Sequence, residues 1–324
     1  MAEPENLREA FRKAARGRRG QPEVIAFRQD LTANLERLRN QFLRRKYVLG
    51  DYHFFIIRDP KVRTICAASF PERVFHHAVM NVCEGVFEKY HIFDSYACRK
   101  GKGNLRAAAR ARQYAGQNTW FLKLDIAKFF DSIDHQIALR HLARLFGDLD
   151  LLNLFGEILA SYNTRPGRGL PIGNLFSQHL ANFYLGVFDH WLKEERKVKP
   201  YLRYMDDFIL FDPDKNFLLE ELAAIRSFLR ERLKLELKPN IQINRSRTGV
   251  PFLGYRVFPG HVRLTAESKK RFTRKYRLYE QNYCRGHWSV KELAAHLGPL
   301  CSFTQNSDSA GLRRYVIERF GVLS

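Results

Sequence analysis

The chain has 324 residues, of which 45% are hydrophobic and 27% are charged, so it can bury a large core and is neither disordered nor fibrous. Its 55 Lys and Arg outnumber 34 Asp and Glu, and the net charge of +21 attracts polyanions, which makes nucleic acid the expected partner. The chain contains no apolar run of about 18 residues, the length needed to span a bilayer. The five cysteines are an odd set without a Cys-x-x-Cys pair, which argues against a disulfide framework and a zinc finger, so we expect a reducing compartment.

Residues 1–46 are predominantly basic, and apolar side chains recur in them at helical spacing: Leu31, Leu35, Leu38 and Phe42. This pattern predicts a basic helical arm, which is either a solvated helix face or a contact for RNA. Two short β-like runs follow, at Tyr52–Ile57 and Arg63–Ile65, and the chain is then expected to form a helix from Pro71 to Glu88.

Every charged side chain between Asp94 and Asp125 is basic, and this block also contains Gly101 and Gly103. A block with one sign of charge suits a phosphate backbone. It is not a nucleotide-binding Walker loop, because the Gly-Lys-Ser/Thr ending is missing. The block contains Arg99, Lys100, Lys102, Arg106, Arg110, Arg112 and Lys123.

Two isolated acidic positions follow, each surrounded by apolar residues. Trp120–Ile126 is predicted to be a strand that carries Asp125 near its end. Tyr201–Phe211 is apolar on both sides of Asp206 and Asp207, which predicts a β-hairpin whose tight turn bears two carboxylates.

The remaining pattern defines the expected fold class. Helices are predicted at 149–162, 176–196 and from Phe217 to Leu233, and short strands at Ile241–Asn244, Phe252–Phe258 and His261–Leu264. This order fits an α+β protein with a split βαβ sheet. Residues 266–324 are predicted to form three basic helices, and we expect them to be a separate C-terminal subdomain.

The carboxylates predict a chemistry. Clustered carboxylates repel one another and are costly to desolvate, so a divalent cation is the usual reason for bringing them together. Hard oxygen ligands suit Mg²⁺, and a pair of such ions about 3.5–4 Å apart can activate a 3′-hydroxyl and stabilise a leaving pyrophosphate. The chemistry expected of Asp125, Asp206 and Asp207 is therefore nucleotidyl transfer.

The same residues carry a resemblance to a known family. Tyr204-Met205-Asp206-Asp207 resembles the Tyr-x-Asp-Asp box of reverse transcriptases, and Phe121–Ile133 resembles their motif A. Pro60–Ile65 and Phe70–Val74 resemble the fingers motifs, and Phe252–Tyr255 resembles the primer-grip region. The ordered set covers roughly residues 50–265 and is far more specific than any one of these motifs.

The resemblance implies a right-hand polymerase with a ferredoxin-like palm, fingers and an all-helical thumb. The implied boundaries are 1–46 for the basic N-terminal helical arm, 47–120 for the fingers with part of the palm, 121–265 for the palm, within which 140–175 belongs partly to the fingers, and 266–324 for the thumb.

The resemblance also implies residue roles. Asp125 and Asp206 would bind two Mg²⁺ ions, Asp207 would support them, and the Ile126 carbonyl would add a ligand. The following residues would contact the incoming dNTP: Lys61, Arg63, Phe130, Ile172 and Gln178. The alternative interpretation of Lys61 and Arg63 is that they are ordinary surface charges. Phe130 would exclude a 2′-hydroxyl, and the alternative is that it is a core residue beside Phe129. Expected contacts with nucleic acid are Arg99, Lys100, Lys102, Arg106, Gly254, Tyr255, Lys269 and Lys270.

One motif departs from the group II intron and retron pattern Gln-Gly-x-x-x-Ser-Pro. The chain has Ile172 in place of the Gln and Gln178 in place of the Pro, and Ile-Gly-x-x-x-Ser-Gln resembles the reverse transcriptases of diversity-generating retroelements. Replacing an amide with an alkyl group removes hydrogen bonds beside the nascent base pair and leaves shape to discriminate. The resemblance implies that Ile172, with Arg63 opposite it, tolerates mispaired nucleotides, mainly at template adenines. The alternative is that Ile172 only packs the site.

The resemblance therefore implies an RNA-directed DNA polymerase that makes adenine-mutagenised cDNA from a template repeat RNA to diversify a target gene. The partners implied by the resemblance are dNTPs, template RNA, the RNA/cDNA duplex and a small basic helical oligomer, the accessory variability determinant. The implied location is the cytoplasm of a prokaryotic host. A retron, group II intron-like or phage-defence enzyme is the alternative, although no maturase domain is expected after Ser324. A non-catalytic RNA-binding scaffold is the second alternative.

Overall fold

The computed structural model describes residues 1–58 and 62–321. Its helices are, in chain order, α1 (Pro4–Ala14), α2 (Pro22–Gln29), α3 (Leu31–Arg44), α4 (Phe70–Tyr90), α5 (Asn104–Gln117), α6 (Phe129–Ser132), α7 (His135–Leu145), α8 (Leu149–Ala160), α9 (Leu175–Tyr184), α10 (Gly186–His190), α11 (Lys215–Leu233), α12 (Ala266–Cys284), α13 (Val290–Gln305) and α14 (Ala310–Phe320). Its strands are β1 (Tyr52–Ile57), β2 (Arg63–Ala68), β3 (Trp120–Asp125), β4 (Tyr201–Tyr204), β5 (Asp207–Asp212), β6 (Gln242–Arg245), β7 (Val250–Phe252), β8 (Tyr255–Val257) and β9 (Val262–Leu264). A π-helical turn, Trp191–Glu195, continues α10, and a 3₁₀ turn occupies Ser246–Thr248.

These elements form two compact units, each built from several chain segments. Unit 1 comprises Met1–Arg99, Asp125–Lys197 and Ala224–Lys238. Unit 2 comprises Lys100–Leu124, Val198–Ala223 and Pro239–Ser324. No helix within residues 1–58 and 62–321 is long and apolar enough to cross a membrane.

Unit 1 is built around α4, which is apolar along most of its length. Helix α1 packs on α4, and the rings of Phe11, Phe27 and Phe70 meet with centroids 5.2–6.1 Å apart. The prediction that residues 1–46 are helical is confirmed. They do not extend as a free arm, however, because apolar residues of all three helices are buried, including Leu7 on α1 and Leu38 on α3.

A β-hairpin of unit 1 leaves its outer strand uncovered. β1 and β2 pair antiparallel, from Tyr52 opposite Ala68 to Ile57 opposite Arg63, and within the described residues they form a sheet of these two strands alone. Phe54 and Ile56 on β1 are 55% and 58% exposed, so this strand presents apolar side chains to solvent.

Unit 2 contains the sheet that carries the acidic motif. Its strand order is β4-β5-β3-β6, with β4 antiparallel to β5 and β3 antiparallel to β6. This arrangement confirms the predicted hairpin at 201–211 and the α+β class. A second sheet, β7-β8-β9, follows, and α12, α13 and α14 pack around Phe272, Tyr276 and Val316, as the prediction of three C-terminal helices requires.

One strand prediction was wrong. The run Phe252–Phe258 is broken by Leu253 and Gly254, whose φ angles of 52° and 83° turn the chain between β7 and β8. A Cβ on Gly254 would lie 2.8 Å from Ser268 Oγ and 3.1 Å from the Phe303 ring, so glycine is required there by both angle and space. The apolar run therefore contains a tight turn that alternation of side chains does not reveal.

A buried polar pair lies beneath the hairpin in unit 1. Glu72 and His76 on α4 are each 2% exposed and approach to 3.8 Å. Burial lowers the pKa of His76 to about 4 and raises the pKa of Glu72, so His76 is neutral near pH 6 and its contact with Glu72 is not an ion pair. Glu72 Oε2 accepts a hydrogen bond from the Gly50 backbone amide at 3.2 Å, which holds the start of the hairpin.

The contribution of His76 to stability should fall as the pH is lowered from about 6.5 to about 4. In this window an unfolded chain protonates His76 and the folded chain does not, so the slope contributed by this residue approaches about 1.4 kcal/mol per pH unit. Urea unfolding of the wild type and His76→Phe at several pH values measures it. The variant should show the smaller slope, and substitution of the exposed His287 should leave it unchanged; equal slopes for all three chains would contradict the assignment.

Candidate active site

Asp206 and Asp207 lie at the tip of the β4–β5 hairpin. Tyr204 pairs with Asp207, so Met205 and Asp206 form the turn, and Met205 has a left-handed φ of 57°. The strands on both sides are anchored in the core, because Leu202 and Phe208 are fully buried. The local sequence therefore holds two half-buried carboxylates on a rigid, apolar support.

Arg203 supports this turn and was not identified from the sequence. Its side chain is fully buried on β4, and Nη1 donates to the Met205 carbonyl at 3.0 Å. A buried guanidinium that bonds the strained residue of the turn fixes the path of the backbone next to the two carboxylates. The only signal in the sequence is that Arg203 is a charged residue within an otherwise apolar strand. A charged side chain in a strand would ordinarily be assigned to a solvent-exposed face.

Lys123 neutralises Asp207 from the adjacent strand. β3 lies next to β5 in the sheet, and Lys123 Nζ lies 2.6 Å from Asp207 Oδ1. Both side chains are largely shielded, with exposed fractions of 16% and 21%. The pair is a charge-assisted hydrogen bond, so Asp207 already directs one oxygen towards a cation.

Asp125 ends β3 and contacts a second lysine. Lys238 Nζ lies 2.7 Å from Asp125 Oδ1, and the Lys238 backbone amide donates to the Asp125 carbonyl at 2.8 Å. The Ala127 amide donates to the Glu236 carbonyl, also at 2.8 Å, so that Ile126 and Leu237 form an antiparallel β-bridge. Neither of these two hydrogen bonds uses the carbonyl of Ile126. Lys238 is distant in sequence from Asp125, which is why the sequence did not link them.

The donor chemistry fits a hard divalent cation. Asp125 and Asp207 present carboxylate oxygens, and each already faces a positive ammonium group. Within residues 1–58 and 62–321, no group of three or more His, Cys, Asp or Glu side chains forms a ready metal site. The following metal ligands therefore stay a prediction: Asp125, Asp206, Asp207 and the Ile126 carbonyl.

Of the predicted dNTP contacts, Lys61 lies outside the described residues. Arg63 is exposed at the first position of β2, opposite Ile57. Phe130 is half-buried on α6, with its ring 5.7 Å from that of Phe129. Its carbonyl accepts a hydrogen bond from the Leu170 amide at 2.8 Å, which ties α6 to the segment before Ile172.

The segment Ile172–Gln178 begins beside β2 and continues into α9. The Cys66 amide donates to the Ile172 carbonyl at 2.8 Å, so Ile172 lies beside β2, the strand that begins with Arg63. Gln178 is half-buried, and its Oε1 lies 3.6 Å from the Cys98 thiol, a weak donor. The structure therefore brings Ile172 to the hairpin that carries Arg63 and places Gln178 one turn into α9.

Two predicted nucleic-acid contacts have other roles. The Arg99 side chain is 7% exposed and donates to both oxygens of Glu88 and to the carbonyls of Ile92 and Ser95, so its donors are used within unit 1. Tyr255 is fully buried, and its hydroxyl donates to the Phe303 carbonyl at 2.8 Å. Burial raises the pKa of Tyr255 to about 12. Both residues stabilise the fold rather than presenting a surface to a phosphate or a base.

The other predicted contacts have accessible positions. Lys100 and Arg106 are exposed and Lys102 is half-buried, at and before the start of α5. Lys269 and Lys270 are exposed on the first turns of α12. The Gly254 carbonyl accepts a hydrogen bond from the Thr265 amide at 3.1 Å, so the turn before β8 is attached to the start of the same helix.

The chain that carries this site is similar in sequence to several known proteins. A sequence profile described as "Reverse transcriptase (RNA-dependent DNA polymerase)" matches residues 58–257. The chain is 25% identical over 169 residues to the Saccharomyces cerevisiae "Putative COX1/OXI3 intron 1 protein", covering 49% of this chain and 20% of that one. It is 23% identical over 286 residues to the "Group II intron-encoded protein LtrA" of Lactococcus lactis, covering 65% of this chain and 47% of the relative.

The chain thus spans less than half of the length of each of these two relatives. Among solved structures, apo telomerase from Candida tropicalis is similar with a TM-score of 0.53 and 11% identity, over 68% of this chain and 50% of that one. At that identity the likeness concerns the fold alone, and it agrees with the mixed helix and sheet architecture.

Replacing Arg203 with Met should lower the free energy of unfolding by about 1.5–3 kcal/mol, because a buried charge-assisted hydrogen bond is lost and the Met205 carbonyl loses its donor. Urea denaturation measures the change. Arg230→Met is the matched control, since the ion pair of Arg230 with Glu236 is exposed at 3.2 Å and should contribute less than about 1 kcal/mol. Equal effects of the two substitutions would show that Arg203 does not support the turn.

Proposed function

The chain belongs to the reverse transcriptase (RNA-dependent DNA polymerase) family, and on that basis we propose that it is an enzyme that copies RNA into DNA by nucleotidyl transfer. One observation carries the proposal: the strand that ends in Asp125 and the hairpin that bears Asp206 and Asp207 are adjacent in one sheet, inside the matched range. The net charge of +21 supports a nucleic-acid substrate.

Asp125, Asp206 and Asp207 are the proposed catalytic carboxylates, and they would hold two Mg²⁺ ions together with the Ile126 carbonyl. When bound, divalent cations activate the primer 3′-hydroxyl and offset the charge of the leaving pyrophosphate. Lys123 and Lys238 limit the repulsion between the carboxylates while no cation is bound, because each ammonium lies within 2.7 Å of its carboxylate. Arg203 holds the turn between the strands in place.

Residues of unit 1 would select the nucleotide. Arg63 is exposed and can meet a triphosphate, with Lys61 as the second proposed cation. Phe130 is half-buried and is fixed through its backbone to Leu170, as a ring that excludes a 2′-hydroxyl must be. Exposed basic residues of α12, Lys269 and Lys270, are proposed to contact the template–product duplex, which fits a helical thumb.

The finer proposal is that the enzyme is of the diversity-generating retroelement type. It rests on Ile172 and Gln178, which replace the Gln and Pro of the group II intron and retron pattern. Such an enzyme would make cDNA with errors at adenines from a template repeat RNA, together with a small basic accessory protein. A group II intron-like enzyme is the second candidate, and the similarity to "Group II intron-encoded protein LtrA" favours it.

Primer extension on an RNA template with dNTPs and Mg²⁺ tests the general proposal. Asp206→Asn should abolish extension, by at least about a thousandfold, because the carboxylate is proposed to act in the transition state. Asp308→Asn is the control, since Asp308 is exposed in the turn between α13 and α14 and the variant should retain wild-type activity. Extension by Asp206→Asn at the wild-type rate would contradict the assignment. An inactive wild type would favour the RNA-binding scaffold, provided that the assay contains the cognate RNA and accessory protein.

Sequencing the cDNA made by Ile172→Gln tests the finer proposal. Restoring an amide beside the nascent base pair should lower the error frequency at template adenines by about tenfold, because hydrogen bonds again add to shape discrimination. Leu175→Gln is the matched control, an aliphatic residue of the same motif that is also half-buried. An unchanged error spectrum in Ile172→Gln, or an equal change in both variants, would reject the role of Ile172.

A further inference from the structure

The segment Ile172–Asn174 lies along the outer edge of β2. The Cys66 amide donates to the Ile172 carbonyl at 2.8 Å, and the Ala68 amide donates to Asn174 Oδ1 at 3.2 Å. Amides of alternate residues point to the same edge of a strand. The side chain of Asn174 therefore occupies the place of a backbone carbonyl in a third strand beside β2.

Gly173 shows how closely this segment approaches β2. Its φ is 122°, which disfavours other residues, and a Cβ there would lie 2.9 Å from Ile65 Cγ2 and 3.4 Å from the Cys66 carbonyl oxygen. Alternate side chains share a face of a strand, so Arg63 lies on the same face of β2 as Ile65. Gly173 therefore packs closely against β2 at Ile65, two residues after Arg63.

Asn174 does not act as the helix cap that its position predicts. It is the residue before α9, where Asn commonly accepts a hydrogen bond from the first turn, yet its side chain makes no such bond. Its oxygen is directed to the Ala68 amide instead. The helix N-terminus therefore gives up a capping interaction while the hairpin gains a bond.

The other half of the Asn174 amide indicates the same role. Asn174 is 3% exposed, and its Nδ2 is buried without a hydrogen-bond partner in the described part of the chain. A buried donor without a partner destabilises the fold, and an apolar side chain would avoid that cost. The presence of an amide side chain at this buried position is explained by the hydrogen bond that its oxygen accepts from the Ala68 amide of β2.

We propose that Asn174 is a positioning residue that fixes Ile172 against the β1–β2 hairpin and thereby sets the geometry of nucleotide selection. The inference rests on the proposed polymerase function and adds a residue to which no role in selection is otherwise assigned. Loss of the bond would let the segment move away from β2, so that Ile172 and Arg63 no longer hold a fixed separation across the nucleotide. The effect should appear in nucleotide binding and selection more than in the rate of the chemical step.

Asn174→Ala tests the proposal, with Asn182→Ala as the matched control. Asn182 is a buried asparagine within α9, 1% exposed, and its Nδ2 donates to the Ala97 carbonyl at 2.9 Å, away from β2. Both variants remove a buried amide, so both should lower the melting temperature. The two are distinguished by hydrogen exchange at the β2 amides and by steady-state kinetics with each dNTP.

We expect Asn174→Ala to speed exchange at the Cys66 and Ala68 amides by at least about tenfold. We also expect its KM for dNTPs to rise about five- to tenfold, with kcat within about twofold of the wild type and an altered misincorporation spectrum. Asn182→Ala should leave all of these unchanged. Asn174→Asp, which keeps an acceptor for the Ala68 amide, should retain the protection of β2 against exchange.

Two results would overturn the proposal. Equal exchange at β2 in Asn174→Ala and Asn182→Ala would show that the bond does not hold the segment. Faster exchange with unchanged KM and misincorporation would reduce Asn174 to a structural residue. An inactive wild type would instead defeat the polymerase function, and the selecting role with it, while the exchange measurement would still decide whether Asn174 joins the segment to β2.

Discussion

The structure depends on the neutralisation of carboxylates by cations. Asp125 and Asp207 each lie within 2.7 Å of a lysine ammonium, one from the segment after α11 and one from the neighbouring strand. A partly buried carboxylate is costly to desolvate unless a positive charge lies beside it. The lysines thus allow apolar strands to end in acidic residues, and the same carboxylate oxygens have the chemistry that a divalent cation requires.

In each unit, the backbone is also held by bonds from buried polar side chains. Arg203 bonds the Met205 carbonyl in the turn between β4 and β5, and Asn174 bonds the Ala68 amide of β2. In each case a buried side chain replaces a backbone partner where regular secondary structure ends. Such bonds fix the path of the backbone at both points, because a buried hydrogen-bonding group is costly to leave unpaired.

The sequence revealed the elements with strong local patterns. The hairpin of β4 and β5 follows from two apolar runs around a short acidic turn, and α4 follows from a long helical period. Contacts between distant residues left no such trace: Lys238 meets Asp125, and Arg203 looks like a surface charge until its burial is known. For the same reason composition assigned Arg99 to a phosphate, whereas Glu88 and two carbonyls occupy its donors.

The uncovered strand β1 has a consequence for handling the protein. Within the described residues it pairs with β2 alone, and its other edge offers backbone groups next to exposed Phe54 and Ile56. A long apolar edge strand is a template on which another polypeptide can add a strand. Concentrated preparations should therefore self-associate through this edge, and a charged side chain at position 56 is the conservative way to obtain a monodisperse sample.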